Sequence, residues 1–229
     1  MSVPPAPAVL LLSGGMDSTT LLWHLRAEAP DRPVHTLSVD YGQRHRIELE
    51  SAAALSVRAG AASHQVLPLD PGAIGGSPLT DAALEVPAAS EDRQTDTVVP
   101  FRNLLFVALA AAWAEGLGAS DLYVAPVRDD YEAYRDCRRE FYDSLERTLR
   151  LGAARETAFR VRTPLVRRTK TEVVALGIGL GVPWELTHTC YTGRRPACGL
   201  CDACSERLAA FAANGAADPL PYERRETGP

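Results

Sequence analysis

Six consecutive residues close to the start of the chain combine the groups that an anion-binding loop needs. They are Ser13, Gly14, Gly15, Met16, Asp17 and Ser18. Two glycines let the backbone turn tightly and bring its N–H groups against a phosphate, and a following helix adds its positive N-terminal end. A carboxylate at Asp17 repels phosphate unless Mg²⁺ lies between them. The loop therefore predicts a site for pyrophosphate with Mg²⁺, with a plain strand-to-helix turn as the structural alternative.

Four of the five cysteines lie close together near the end of the chain. They are Cys190, Cys198, Cys201 and Cys204. Thiolates bind Zn²⁺ tetrahedrally, and Cys-x-x-Cys steps bring two sulfurs of one tight turn to the same ion. We expect one structural zinc ion per chain, with His188 as a substitute ligand that four thiolates make unnecessary; free or redox-active thiols are the alternative. The remaining Cys137 is expected to be a small buried residue.

Strands and helices alternate along the chain. Short apolar runs predict strands at residues 8–12, 34–39, 65–69, 122–125 and 161–165. Helical periodicity predicts helices at residues 16–26, 47–59, 103–117, 134–149 and 169–176. The helix at 103–117 is apolar enough to be buried on most sides, and Thr169 with Glu172 forms a capping box at the last helix. This alternation predicts an α/β fold with a doubly wound, mostly parallel sheet.

The pattern divides the chain into three parts. Residues 1–7 are expected to be a flexible lead-in, residues 8–185 one α/β domain, and residues 186–229 a zinc-binding appendage. The stretch 70–100 is rich in Gly, Pro, Ser and Asp. It is much longer than an ordinary connection. A lid over the site and a disordered segment are equally good interpretations of it.

The composition of the chain argues against several classes of protein. The chain has 229 residues, 46% of them apolar, and a net charge of −5. A negative net charge argues against general nucleic-acid binding, which needs a basic surface. No apolar run approaches the roughly 20 residues of a membrane helix, and the start lacks the basic region of a secretory signal. We therefore expect a cytoplasmic protein, in which clustered thiols bind metal rather than form disulfides.

The six-residue loop is neither a Walker loop nor a dinucleotide fingerprint. It resembles the Ser-Gly-Gly-Xaa-Asp-Ser signature of the N-type ATP pyrophosphatases, which also follows the first strand. Together with the four cysteines it resembles the 7-cyano-7-deazaguanine synthase family. The other segments that carry this resemblance are Asp40 to His45, Val99 to Asn103, Thr163 to Leu165, Thr169 to Glu172 and Asp218 to Tyr222.

The resemblance implies an adenine nucleotide alpha hydrolase-like, Rossmann-like fold and a two-stage reaction. ATP adenylates 7-carboxy-7-deazaguanine, ammonia displaces AMP to give the amide, and a second activation dehydrates the amide to the nitrile. It also implies that residues 13–18 bind pyrophosphate and Mg²⁺, that Asp40 and Tyr41 lie beside the nucleotide, and that Arg102 and Lys170 neutralise phosphate charge. Family members commonly form homodimers.

One segment departs from the family pattern. The family has Gly-Val-Asn after its fourth strand, where this chain has Ala125-Pro126-Val127, and its Ser-Gly pair is replaced here by Glu132-Ala133. Because this segment is expected to line the deazapurine pocket, a second hypothesis keeps the adenylation but changes the nucleophile to an amine of a protein partner, as in antiphage-defence relatives. A third hypothesis is a non-catalytic binding module whose fold is stabilised by zinc. It fits poorly, because the phosphate loop is complete.

Overall fold

The computed structural model of the chain describes residues 5–70, 74–89, 97–131, 134–154 and 159–223. Its strands are β1 (Ala8–Leu11), β2 (Val34–Asp40), β3 (Ser63–Pro68), β4 (Asp121–Tyr123) and β5 (Arg160–Arg162). They form one sheet in the order β3-β2-β1-β4-β5, and every neighbouring pair is parallel. The predicted α/β fold with a parallel, doubly wound sheet is confirmed.

Helices cover both faces of this sheet. They are α1 (Met16–Glu28), α2 (Ile47–Arg58), α3 (Arg102–Leu117), α4 (Arg139–Gly152), α5 (Lys170–Gly179) and α6 (Asp202–Ala213). Alternate residues of β1 point to opposite faces. Val9 packs into a cluster with residues of α3 and α4, and Leu10 packs into a cluster with residues of α1 and α5. Both side chains are completely buried, so the central strand fixes the loop that follows it.

The C-terminal region packs directly on this layer. Val174 of α5 and Phe211 of α6 share an apolar cluster with Met16 and Trp184. The rings of Trp184 and Phe211 meet edge to face, with centroids 5.3 Å apart. An apolar contact therefore joins the cysteine-bearing end of the chain to the first turn of α1.

One boundary in the helix prediction is wrong. Helix α4 begins at Arg139 rather than at residue 134, because residues 135–137 form a separate 3-10 turn and Arg138 has an extended backbone. Helix α3 is buried or half-buried on most sides, as predicted, and its exposed residues, Leu104, Ala108, Ala112 and Gly116, lie on one side. Helix α6 was not predicted from the sequence. The capping box at α5 is confirmed, since the Thr169 hydroxyl accepts from the Glu172 N–H.

The described part of the long segment between β3 and α3 is packed rather than loose. Leu79 shares an apolar cluster with Tyr41 at the end of β2. The Arg44 guanidinium donates to the backbone carbonyls of Asp81 and Leu84, at 3.0 and 2.6 Å. Part of this segment therefore packs beside the carboxyl end of β2. None of the described helices has the length and apolar character needed to span a bilayer.

Candidate functional site

The loop between β1 and α1 has the backbone of an anion cradle. Gly14 has φ +84°, and a Cβ atom there would lie 2.3 Å from the carbonyl oxygen of Glu48. Gly15 is the N-cap of α1, and its N–H donates to the Ser13 hydroxyl at 3.2 Å. The hydroxyls of Ser13 and Ser18 are 3.0 Å apart. Only glycine therefore fits at position 14. The loop presents the N-terminal end of α1, which favours an anion, to the space above it.

A cavity of about 270 Å³ opens above this loop at the carboxyl end of the sheet. Most of the predicted site residues line it. These are Ser13, Gly15, Met16, Asp17, Ser18, Tyr41, Arg102 and Lys170. Asp40 does not line it, because its carboxylate turns away to the Arg46 guanidinium at 2.5 Å. The structure therefore brings the loop, the end of β2, the start of α3 and the start of α5 to one site.

Asp17 has the environment of a cation ligand. Its Oδ1 atom is buried and has no hydrogen-bond partner among the described residues. Burial, together with neighbouring carboxylates, raises the pKa of Asp17 to about 7, although Lys170 opposes this. A divalent cation supplies the positive charge that such a carboxylate lacks, and oxygen ligands suit Mg²⁺. The residue therefore fits the Mg²⁺ that accompanies ATP.

Lys170 lies in an acidic cluster beside the loop. Its Nζ is 3.0 Å from Asp130 Oδ1 and 2.9 Å from Glu206 Oε2, and its backbone N–H donates to Asp129 at 2.5 Å. Although burial opposes the charge, Asp130, Asp17 and Glu206 hold the pKa of Lys170 well above its usual value. The side chain is therefore a fixed ammonium next to Asp17.

Arg102 lies among groups that are neutral at pH 7. Burial raises the pKa of Tyr41 to about 12 and that of the Cys137 thiol to about 12. Among the described residues no carboxylate forms an ion pair with Arg102. A guanidinium is always charged and is costly to hold without a counter-charge. Its positive charge is therefore available to an anionic ligand in the cavity.

Several residues of the cavity wall were not predicted from the sequence. They are His45, Glu48, Tyr191 and Glu206. Burial lowers the pKa of His45 to about 3, so this imidazole is neutral. Burial raises the pKa of Glu48 to about 8, although its carboxylate accepts from Gln43 Nε2 at 3.2 Å. The sequence signal for these residues was their position: His45 and Glu48 follow β2, Tyr191 lies within the cysteine cluster, and Glu206 follows it.

Glu48→Gln should stabilise the protein at alkaline pH. The Glu48 pKa rises from 4.5 to about 8 on folding, so its stability contribution is full below pH 4.5 and is lost as pH rises through 8. We expect the variant to exceed the parent in unfolding free energy by roughly 2–4 kcal/mol at about pH 9, and by little at about pH 5. Urea unfolding at both pH values measures this. Glu50→Gln on the exposed side of α2 is the control, and a difference for Glu48→Gln that is the same at both pH values would contradict the prediction.

The four predicted metal ligands meet at one point. The sulfur atoms of Cys190, Cys198, Cys201 and Cys204 all lie within 4.8 Å of one another. Those of Cys198 and Cys204 are 3.9 Å apart, close to the roughly 3.8 Å edge of a tetrahedron with Zn–S bonds of about 2.3 Å. The cluster can therefore hold a metal ion. His188 is not part of it, since its Nε2 lies 3.3 Å from the Cys190 carbonyl oxygen.

The segment that departs from the family pattern lies at the cavity. Ala125, Pro126, Asp130, Tyr134 and Cys137 all line it. Cys137 is buried, as predicted, and accepts from the Asn103 side-chain amide at 3.5 Å. The replaced pair, Glu132 and Ala133, lies outside the described residues. The altered segment therefore shares a wall with the loop and with Lys170.

A parallel sheet, an anion cradle after its first strand and a lysine beside it define an ATP-using enzyme of the N-type ATP pyrophosphatase class. The family described as queuosine biosynthesis protein QueC matches residues 7–215. The chain belongs to this family.

Curated relatives share most of the chain. The 7-cyano-7-deazaguanine synthase of Thermosynechococcus vestitus is 45% identical over 94% of this chain and 95% of its own length. The enzymes of that name from Pseudomonas syringae pv. tomato and Clostridium kluyveri are 43% and 40% identical, again over 94% of this chain and over 96% and 97% of their own lengths. The resemblance inferred from the motifs is therefore confirmed.

Solved structures share the fold at low identity. The NMN synthetase of Francisella tularensis is 17% identical with a TM-score of 0.53, over 93% of this chain and 79% of that one. The U34-tRNA thiolase of Methanococcus maripaludis is 14% identical with a TM-score of 0.53, over 90% of this chain. This chain spans 65% of the length of the thiolase. These likenesses show a common architecture alone.

Proposed function

We propose that this enzyme converts 7-carboxy-7-deazaguanine to 7-cyano-7-deazaguanine with ATP and ammonia, in the queuosine pathway. The observation that carries the proposal is the complete loop at 13–18, with Asp17 open to a cavity that also holds Arg102 and Lys170. Relatives of this name at 40–45% identity support the choice of substrate.

The residues suit each stage of that reaction. The substrate carboxylate attacks the α-phosphorus of ATP, and pyrophosphate leaves into the N–H groups of the loop. Asp17 would hold Mg²⁺, which supplies charge neutralisation on the phosphates when bound. Lys170 lies beside Asp17 and adds a second cation, and Arg102 offers its charge to the anionic reactants across the cavity. Ammonia then displaces AMP, and a second activation of the amide oxygen lets AMP leave as the nitrile forms.

The test is product formation. Incubation with 7-carboxy-7-deazaguanine, Mg²⁺, ATP and ammonium should give the nitrile and AMP by mass spectrometry. Asp17→Ala should lose AMP formation, which separates the enzyme from a contaminating ATPase and from a non-catalytic scaffold. Accumulation of the amide without nitrile would reject the proposal.

A second candidate function keeps the first step and changes the acceptor. The altered segment lines the cavity through Ala125, Pro126 and Tyr134, where it can affect which amine reaches the adenylate. The acceptor would then be an amine of a protein partner, and the enzyme a modifying ligase. The test is a mass increment on a protein encoded beside this one that requires both ATP and the deazaguanine acid; nitrile formation at full rate without that partner would argue against it.

We propose that the metal of the four-thiolate cluster is structural Zn²⁺. A shell of four thiolates is closed to substrate and is the donor set that zinc prefers. The cytoplasm is the compartment in which these thiols remain reduced and available. Metal analysis of protein purified without chelator should give one zinc ion per chain, and iron at that ratio would overturn the assignment.

We also propose that two copies associate through the exposed side of α3. Phe101, Leu104, Ala108 and Ala112 are exposed and follow a helical spacing of three to four residues. Phe101 has φ 53°, a left-handed backbone that is unfavourable for an aromatic residue. A strained and exposed aromatic side chain is well suited to anchor an interface.

Phe101→Glu should convert the protein to monomers. A buried interface aromatic typically contributes about 2 kcal/mol or more, so the dimer should weaken at least about 30-fold. Sedimentation equilibrium measures this, with Val57→Glu on α2, where Val57 is 81% exposed, as the control. A monomeric parent protein, or a Phe101→Glu variant as dimeric as the parent, would reject this interface.

A further inference from the structure

Glu206 is a carboxylate of the C-terminal region that reaches the phosphate side of the cavity. It lies in the middle of α6, its side chain is 18% exposed, and its Oε2 is 2.9 Å from Lys170 Nζ. The proposed reaction assigns a role to Lys170 but none to Glu206. A carboxylate beside a phosphate site is unfavourable on its own, so its presence there needs a reason.

The position of Glu206 is fixed from both sides along α6. Cys201 is the N-cap of this helix, and Cys204 lies two residues before Glu206. The next residue, Arg207, forms a buried pair with Asp218, with Nε–Oδ2 and Nη2–Oδ1 distances of 2.7 and 2.9 Å. The glutamate therefore stands between metal-ligand thiols and a buried ion pair, and it has little freedom to move.

A lysine side chain loses rotamer entropy when its ammonium is held in one place. Asp130 and Glu206 hold the Lys170 ammonium from two sides before any nucleotide arrives. Protein kinases use a lysine–glutamate pair in the same way, and both members must be in place for phosphoryl transfer. The folded protein therefore holds the ammonium in place before the reaction begins, so this rotamer entropy is not lost on reaching the transition state.

We propose that Glu206 is a positioning residue, through which α6, the helix that begins at the cysteine cluster, holds Lys170 at the pyrophosphate end of the ATP site. It acts through Lys170 and makes no contact with the acyl substrate. The inference rests on the proposed use of ATP, but not on the identity of the acid that is adenylated.

A positioning role predicts a loss in kcat rather than in binding. Glu206→Gln keeps the shape of the side chain and removes its negative charge. The Lys170 ammonium is then held less firmly, while the repulsion between residue 206 and the phosphates decreases. We expect kcat for AMP formation to drop about tenfold or more, with KM for ATP changed by less than about threefold. Glu206→Asp should recover part of the loss. Zinc content and the thermal midpoint should match the parent, and Glu185→Gln, an exposed carboxylate outside the cavity, should have the parent kcat.

A double-mutant cycle on binding tests the link to Lys170. The ligand is the Mg²⁺ complex of α,β-methylene-ATP, and Kd is measured for the parent, Glu206→Gln, Lys170→Met and the double variant. Without the ammonium, Glu206 only repels phosphate, so Glu206→Gln should tighten binding several-fold more in the Lys170→Met protein than in the parent.

The outcomes separate this inference from the proposed function. An equal effect of Glu206→Gln in both backgrounds, a parent-like kcat, or loss of zinc in the variant would overturn the role of Glu206. If the parent binds the ATP analogue but makes no nitrile, the proposed function fails, and the cycle still decides the role of Glu206.

Discussion

Gly14→Ala is expected to abolish AMP formation. The added Cβ would lie 2.3 Å from the Glu48 carbonyl oxygen and 2.8 Å from the Ala52 nitrogen, both of them backbone atoms of α2. Neither atom can yield without moving the helix, so the loop must move instead. A shift of about 1 Å in the N–H groups that we propose to hold pyrophosphate would cost on the order of 100-fold in rate, and Gly14→Ala requires a larger shift. Activity at least about 1,000-fold below the parent is the expected result, measured as AMP released.

A matched control separates this clash from backbone strain. Gly76 has φ +85°, almost the same as Gly14, but a Cβ there meets nothing within 4 Å. Gly76→Ala should therefore cost only about 1 kcal/mol of stability and leave activity near the parent value. Equal losses of activity in the two variants would show that strain, rather than the approach of α2 to the loop, explains the effect.

Asp218→Asn should destabilise the C-terminal region strongly. The Arg207 and Asp218 side chains are both completely buried and paired bidentately, and Tyr222 donates a hydroxyl hydrogen bond to the same carboxylate. Arg207 also donates to the Thr187 hydroxyl at 2.6 Å and to the Trp184 carbonyl at 3.2 Å. Removal of the carboxylate charge leaves a buried guanidinium without a counter-charge, which typically costs about 3–5 kcal/mol. Urea unfolding of the zinc-loaded protein measures the loss.

Two comparisons test that explanation. Asp143→Asn breaks an exposed pair, Arg139–Asp143, whose side chains are 48% and 56% exposed, and should cost less than about 1 kcal/mol. The double variant Arg207→Met with Asp218→Leu removes both charges and should be less destabilised than Asp218→Asn. A double variant that is as unstable as the sum of two single changes would show that packing, rather than charge, dominates at this site.

The sequence predicted the parts of the fold that depend on local pattern. The apolar run before Ser13 became the central strand, because a strand buried on both faces needs continuous apolar residues. The four cysteines met because their spacing places them around one turn and one helix start. The start of α4 was misplaced since the polar residues from 134 to 138 are compatible with either a helix or a turn. In the structure Asn103 of α3 donates to the Asp136 carbonyl of this turn, a contact between distant parts of the chain that the local pattern does not show.

The sequence did not predict the residues that reach the cavity from elsewhere. Glu206 lies in a segment for which no helix was predicted, and only the packing of α6 on α5 brings it to Lys170. The position of Glu48 in the first turn of α2 suggests only a carboxylate that interacts favourably with the helix dipole. Asp40 was expected beside the nucleotide, but a neighbouring Arg46 draws its carboxylate away. Charge pairing between elements therefore decided which polar residues face the site.

One backbone hydrogen bond joins the loop at residues 13–18 to a segment that is synthesised much later. The N–H of His188 donates to the Gly14 carbonyl at 2.9 Å, so two residues that are far apart along the chain, and are therefore synthesised at different times, are bonded directly. Domains fold from the N-terminus as they emerge, and the sheet can assemble before the cysteines are made. The loop at residues 13–18, in contrast, gains this hydrogen bond only after residue 188 has been synthesised and has docked on it. We therefore expect a nascent chain to form its sheet before this loop is complete.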